Sequence, residues 1–224
     1  NNINISNLCF AYSSSKEKGG ETEIFNNANI EIYKGVTGII GESGSGKSTL
    51  IEIIMGLLKP KSAKILVNKD LIDFSGGFRF SNIAYVPQKS FILDNSLLNN
   101  VTFQKEENVN MDLYNEIINL VGLKQILSGY SNKEKIRTGE EGRMFSGGQI
   151  QRISIARALY SNPNLLILDE STNALDNESE RLLLGNIIKF MKNKFIIIIS
   201  HKKELNEFCN KIYKINNKKI IQFK

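Results

Sequence analysis

Gly41-Glu42-Ser43-Gly44-Ser45-Gly46-Lys47-Ser48-Thr49 decides how the rest of the chain is read. It follows the apolar run 36–40 and opens a stretch carrying Leu50, Ile53, Ile54 and Leu57 at helical spacing, so a glycine-rich turn joins a strand to a helix. Glycines at 41, 44 and 46 let successive backbone N–H groups turn inward toward an anion, and the helix starting near Lys47 adds its positive end. Lys47 supplies a mobile charge for terminal phosphates, and Ser48 places a hydroxyl where Mg²⁺ would bridge them. The segment alone does not say which family of nucleoside triphosphatases it serves.

Working outward, 224 residues are ample for one compact domain or one domain with a small lobe, and 41% hydrophobic and 23% charged residues describe ordinary globular material. Disordered, collagen-like and coiled-coil classes drop out. No apolar run reaches the roughly 18 residues needed to span a bilayer. The opening Asn-Asn-Ile-Asn has neither an initiator Met nor a signal-peptide profile, so a piece of something longer is expected. Cys9 and Cys209 lie far apart without CxxC spacing, which argues against a disulfide scaffold or zinc cage and for a reducing compartment. The net charge of +6 is spread over scattered lysines without interleaved aromatics, a pattern of solvated surface in which no nucleic-acid partner is expected.

Strands are expected at 3–10, 24–32, 36–40, 65–67, 83–86, 165–168, 195–199 and 211–215. The runs 165–168 and 195–199 are continuously apolar, as buried parallel strands are. Between Ser90 and Pro163 the pattern turns helical, at 97–101, 113–121, 123–127 and 149–160, which predicts an inserted helical lobe. The serine- and glycine-rich stretch 13–23 reads as a flexible loop.

Leu165-Leu166-Ile167-Leu168-Asp169-Glu170 is an apolar strand ending in two carboxylates. Successive strand residues point to opposite sides, so one carboxylate can hold a metal while the other faces a nucleophilic water. In a doubly wound sheet such strand ends line the ligand crevice. The run 195–199 delivers Ser200 and the chain's one histidine, His201, to the same kind of position, and Gln88 follows Tyr85-Val86-Pro87 at the end of another strand. Phe145-Ser146-Gly147-Gly148-Gln149 precedes an amphipathic helix; Ser146 is an N-cap candidate and the glycines leave N–H groups accessible. Alone it reads as an ordinary capped helix. One cradle already suffices for one triphosphate, so this second anion-binding helix start points to a nucleotide held by another copy, with two shared sites in a twofold dimer.

Together these strings resemble the nucleotide-binding domain of ATP-binding-cassette (ABC) proteins, over essentially the whole chain and in the family's order. The resemblance identifies 41–49 with the Walker A motif, Gln88 with the Q-loop glutamine, 145–149 with the signature and 165–170 with Walker B and its catalytic glutamate. It makes 171–176 the D-loop, His201 the switch histidine and Tyr12 the adenine-stacking aromatic; Phe145 stands where the family usually has leucine. It implies an α/β P-loop NTPase fold of the ABC-ATPase type, with a mostly parallel core sheet and an antiparallel β subdomain over 1–89 and 158–224, and an inserted helical subdomain over 90–157. ATP and Mg²⁺ are the implied ligands. Nucleotide contacts would come from Tyr12, Gly41, Glu42, Ser43, Gly44, Ser45, Gly46, Lys47, Ser48, Thr49 and Gln88, and from Ser146, Gly147, Gly148 and Gln149; metal contacts from Ser48, Gln88 and Asp169; catalysis from Glu170, His201, Gln88 and Lys47.

The segment Thr138-Gly139-Glu140-Glu141-Gly142 is similar to the exporter-type sequence in which an acidic residue, here Glu140, touches the transmembrane part of the partner subunit. The resemblance therefore implies an ATPase dimerising around two ATP-Mg²⁺ to drive an exporter or flippase. Its membrane domain would lie on the same polypeptide and the ATPase at the cytoplasmic face of the membrane. An importer ATPase fits residues 139–142 less well. A DNA-repair or chromosome-maintenance ATPase would need a long coiled-coil arm, and Gln88 and Ser146 lie only 58 positions apart.

Overall fold

Residues 2–13, 20–72, 82–127, 136–139, 142–200 and 206–224 are described by the structure, a computed structural model. Its strands are β1 (Asn2–Ser13), β2 (Glu21–Tyr33), β3 (Gly35–Gly41), β4 (Ser62–Val67), β5 (Asp70–Ile72), β6 (Ile83–Val86), β7 (Leu165–Asp169), β8 (Phe195–Ile199), β9 (Lys211–Asn216) and β10 (Lys219–Gln222). Its helices are α1 (Lys47–Ile54), α2 (Leu97–Thr102), α3 (Met111–Leu120), α4 (Leu123–Ile126), α5 (Gly147–Tyr160) and α6 (Asn177–Phe190). Two units result: residues 1–81 with 193–224, and residues 82–192.

In the first unit, β2, β1, β4 and β5 form an antiparallel sheet in that order. Alternation along β1 buries Ile3 and Ile5; the register then shifts around Asn7, whose φ of +54° marks a bulge, and Leu8 and Phe10 return to the buried face. β3 pairs in parallel with β8 on one side and β9 on the other, and β10 closes an antiparallel hairpin with β9. All five residues of β8 are buried, which explains its unbroken Phe-Ile-Ile-Ile-Ile run. The stretch 13–23 departs from the loop expectation at both ends. Ser13 pairs with Glu21 and Tyr12 with Thr22, so ladder hydrogen bonds extend both strands through polar residues; 14–19 lie outside the described residues.

In the second unit, β6 and β7 form a parallel pair with Ile83 opposite Leu165, and α5 packs against β6. Among the described residues between Ser90 and Pro163 there is no strand, only an isolated bridge between Ser96 and Arg137. α6 follows the acidic strand end: Asp176 accepts from the Ser179 N–H, which holds its carboxyl below the ordinary range, and Leu183, Leu184 and Ile187 form the buried face.

The two cysteines are free and sit in opposite environments. Burial pushes the Cys209 thiol up to about 12, whereas hydrogen bonds from Ser62 and from the Asn27 N–H hold Cys9 below its ordinary value. Because the thiolate is the nucleophile, iodoacetamide at pH 8 is expected to alkylate Cys9 at least about tenfold faster than Cys209. Peptide mass mapping checks the order, and Cys209 should become equally reactive only in denaturant.

Candidate functional site

In the first unit, β3 ends at Gly41 and the chain turns through 42–46 into α1. Gly46 has φ +106°, and a Cβ there would come within 2.7 Å of Ile24 Cγ2 and 3.1 Å of Phe25 Cζ, so only glycine fits the turn. No side chain caps α1 and no acidic residue lies in its first turn, which leaves the positive helix end available to an anion. The Lys47 side chain is buried and its Nζ donates to the carbonyls of Gly41 and Glu42, both at 2.8 Å. The loop thus holds its ammonium at the strand-to-helix turn, while Glu42, Ser43, Gly44 and Ser48 are exposed. Tyr12 is joined to this cradle: its hydroxyl lies 3.2 Å from Thr49 Oγ1, and its ring stands edge-on to Phe10 at 4.9 Å. Tyr12 remains 41% exposed.

In the second unit, Asp169 closes β7 and Glu170 follows it with φ +48°. The two carboxylates have different partners, although Glu170 lies past the end of β7 and strand alternation does not set its direction. The Tyr85 hydroxyl donates to Asp169 Oδ2 at 2.9 Å, while Glu170 Oε2 accepts from Gln88 Nε2 at 2.8 Å and from Asn173 Nδ2 at 3.2 Å. Tyr85 and Asn173 did not stand out in the sequence. Tyr85 is the outward residue of a short strand, and Asn173 is an ordinary turn residue until Glu170 is placed beside it.

The turn before α5 forms a capping box. Ser146 Oγ accepts from the Gln149 N–H, and Gln149 Oε1 accepts from the Ser146 N–H at 2.9 Å. Gly147 is exposed, whereas Gly148 backs onto the 171–176 turn: a Cβ there would meet Leu175 Cδ2 at 3.0 Å and the Ala174 carbonyl at 3.3 Å. The box takes up the Ser146 and Gln149 N–H groups and fixes the start of the helix. His201 and Glu140 lie outside the described residues. Within the second unit, then, Gln88 meets Glu170 and Gly148 meets the 171–176 turn; Lys47, Ser48 and Tyr12 cluster within the first.

Residues 25–173 match the family described as ABC transporter. Over 96% of its length the chain is 37% identical to the alpha-hemolysin translocation ATP-binding protein HlyB of Escherichia coli O157:H7. Over 98% of its length it is 34% identical to the leukotoxin translocation ATP-binding protein LktB of a Pasteurella haemolytica-like species. It spans 30% of the length of each of these relatives. A solved bacterial Atm1-family ABC exporter with ATP bound matches 98% of the chain with a TM-score of 0.84 at 22% identity, the chain covering 38% of that protein; the likeness carries the fold. A match that starts in β2 and runs past both carboxylates, with relatives aligned over nearly every residue, makes this chain a member of the ABC transporter family.

Proposed function

We propose that the chain is the ATP-binding and ATP-hydrolysing domain of an exporter or flippase, and that it works as a pair of copies closing on two ATP-Mg²⁺. The observation that carries the reading is the buried Lys47 ammonium fixed by two loop carbonyls beside an uncapped helix start. In this reading Lys47 and the loop N–H groups hold the phosphates, Tyr12 stacks on the base, and Glu170 orients and polarises the attacking water. His201 contacts the γ-phosphate, and the 146–148 turn of the second copy completes each site.

Among the described residues no three His, Cys, Asp or Glu side chains cluster as a metal cage. Each unit offers hard oxygens of the kind Mg²⁺ takes, Ser48 in the first and Asp169 and Gln88 in the second, and the ion ordinarily takes one or two carboxylates and completes its shell with water and substrate phosphates. When bound, Mg²⁺ supplies charge neutralisation at the phosphate oxygens.

The core would comprise 1–89 and 158–224, with 90–157 as the helical subdomain that reports phosphate occupancy, through Gln88, to a membrane domain. Both relatives are named as translocation ATP-binding proteins and are about three times as long as this chain, which supports a membrane domain on the same polypeptide; the ATPase would then lie at the cytoplasmic face of the membrane. Through Glu140 the segment 138–142 would meet that domain.

The purified chain is expected to release phosphate from ATP. Lys47→Ala, which removes a charge-assisted contact, should weaken ATP binding about tenfold to a hundredfold by isothermal titration. Native affinity in Lys47→Ala, or an unsubstituted chain that never hydrolyses ATP, would overturn the reading.

A further inference from the structure

The helix α5 touches both arms that hold the Glu170 carboxylate. Its first turns meet the arm that follows Glu170: the buried Gln151 side chain accepts from the Ala174 N–H at 3.0 Å, and Gly148 packs on Ala174 and Leu175. Its second half meets the arm that follows Gln88. The Arg157 guanidinium donates to the Phe91 carbonyl at 2.8 Å and to the Asn100 carbonyl at 2.7 Å, and lies 4.7 Å from the centre of the Phe103 ring. Asn100, fully buried, and Thr138 fasten the same tract through the Leu93 carbonyl. The arms converge on one atom, Glu170 Oε2, through Gln88 and Asn173. A closed circuit of hydrogen bonds and covalent chain therefore runs from the carboxylate through one arm to α5 and back through the other, all within residues 82–192.

We propose that Gln151 is a positioning residue for Glu170: through Ala174 it makes the carboxylate follow the helix start at 146–148 in the same chain. The Gln151 side chain is buried, and a buried carboxamide oxygen that loses its donor costs more than the bond itself is worth, so the turn keeps its place as long as Gln151 does. When that helix start moves on engaging a nucleotide held by another copy, Asn173 moves with it and the carboxylate is set for its water. The inference rests on Glu170 being the water-orienting group.

The test compares Gln151→Met, which keeps length and removes the acceptor, with Gln151→Glu, which keeps it. Gln151→Met should lower kcat by about tenfold or more, because small misplacements of a reacting group are expensive, with KM for ATP within about twofold. Its Ala174 amide should exchange hydrogen faster in the nucleotide-free chain, while Gln151→Glu should approach the native values on each readout. Combined with Asn173→Ala, an exposed substitution, Gln151→Met should add little further loss, since both act on one carboxylate. If Gln151→Met does not fold, Gln151→Asn withdraws the acceptor by one methylene and is read the same way. A native kcat in the acceptor-less variant, equal damage in Gln151→Glu, or simple additivity would overturn the proposal. Failure of the Glu170 reading shows separately, as full turnover in Glu170→Gln.

Discussion

Glu170→Gln is expected to bind ATP with near-native affinity and to hydrolyse it at least about a hundredfold more slowly, the range associated with losing a general base. The substitution is nearly isosteric. Gln88 and Asn173 both donate to a single oxygen of the Glu170 side chain, and the amide oxygen of glutamine can take that place. Packing and hydrogen bonding are therefore kept while the negative charge that polarises water is removed. A site that fills but does not fire should trap the closed pair. Gel filtration in ATP and Mg²⁺ is expected to show a dimer for Glu170→Gln and a monomer after nucleotide is withdrawn. Full turnover in this variant would remove Glu170 from its role.

The second large effect comes from the capped turn before α5. Ser146→Arg loses the cap, worth about 1 kcal/mol, and places a bulky cation where the helix start must approach a phosphate-bearing partner. Ser146 lies outside the Lys47 cradle, so ATP affinity should stay within about twofold while turnover falls close to zero. Lys47→Ala should also be inactive, for the opposite reason. Mixed in equal amounts, the two dead chains should recover activity. Half of the random dimers are mixed, and each of those owns one site with an intact Lys47 and an intact Ser146, so turnover should return toward about a quarter of native. A mixture as inactive as its components would mean that the site is not shared between copies.

Most elements, and each motif that the candidate site uses, could be read from the chain because their signals are local. β8 is five apolar residues in a row, and α5 has both its capping residues and its apolar face in one string. What was hidden depends on conformations or neighbours that composition does not report. β5 and β10 are the return strands of two tight hairpins whose turns are Asn68-Lys69 and Asn217-Lys218, all four residues at positive φ. Such turns usually advertise themselves with Asn-Gly; here lysine sits in the left-handed region and the signal is lost. The roles of Tyr85 and Asn173 were hidden for another reason. Each becomes meaningful only when β6 pairs with β7, or when Glu170 takes φ +48°, and neither event is written in nearby residues.

Those two hairpins differ in how firmly they are held. Lys218 pairs with Glu23, and its carbonyl accepts from Asn26, which binds the β9–β10 tip to β2. At the β4–β5 tip, the backbone tie among the described residues is the Asn68 N–H donating to the Asn2 carbonyl, and both Asn68 and Lys69 are exposed. Exposed polar tips of this kind accept inserted sequence with little penalty to the core. The Asn68-Lys69 bend is accordingly the place to graft an epitope or a fluorescent reporter when the protein has to be followed inside a living cell.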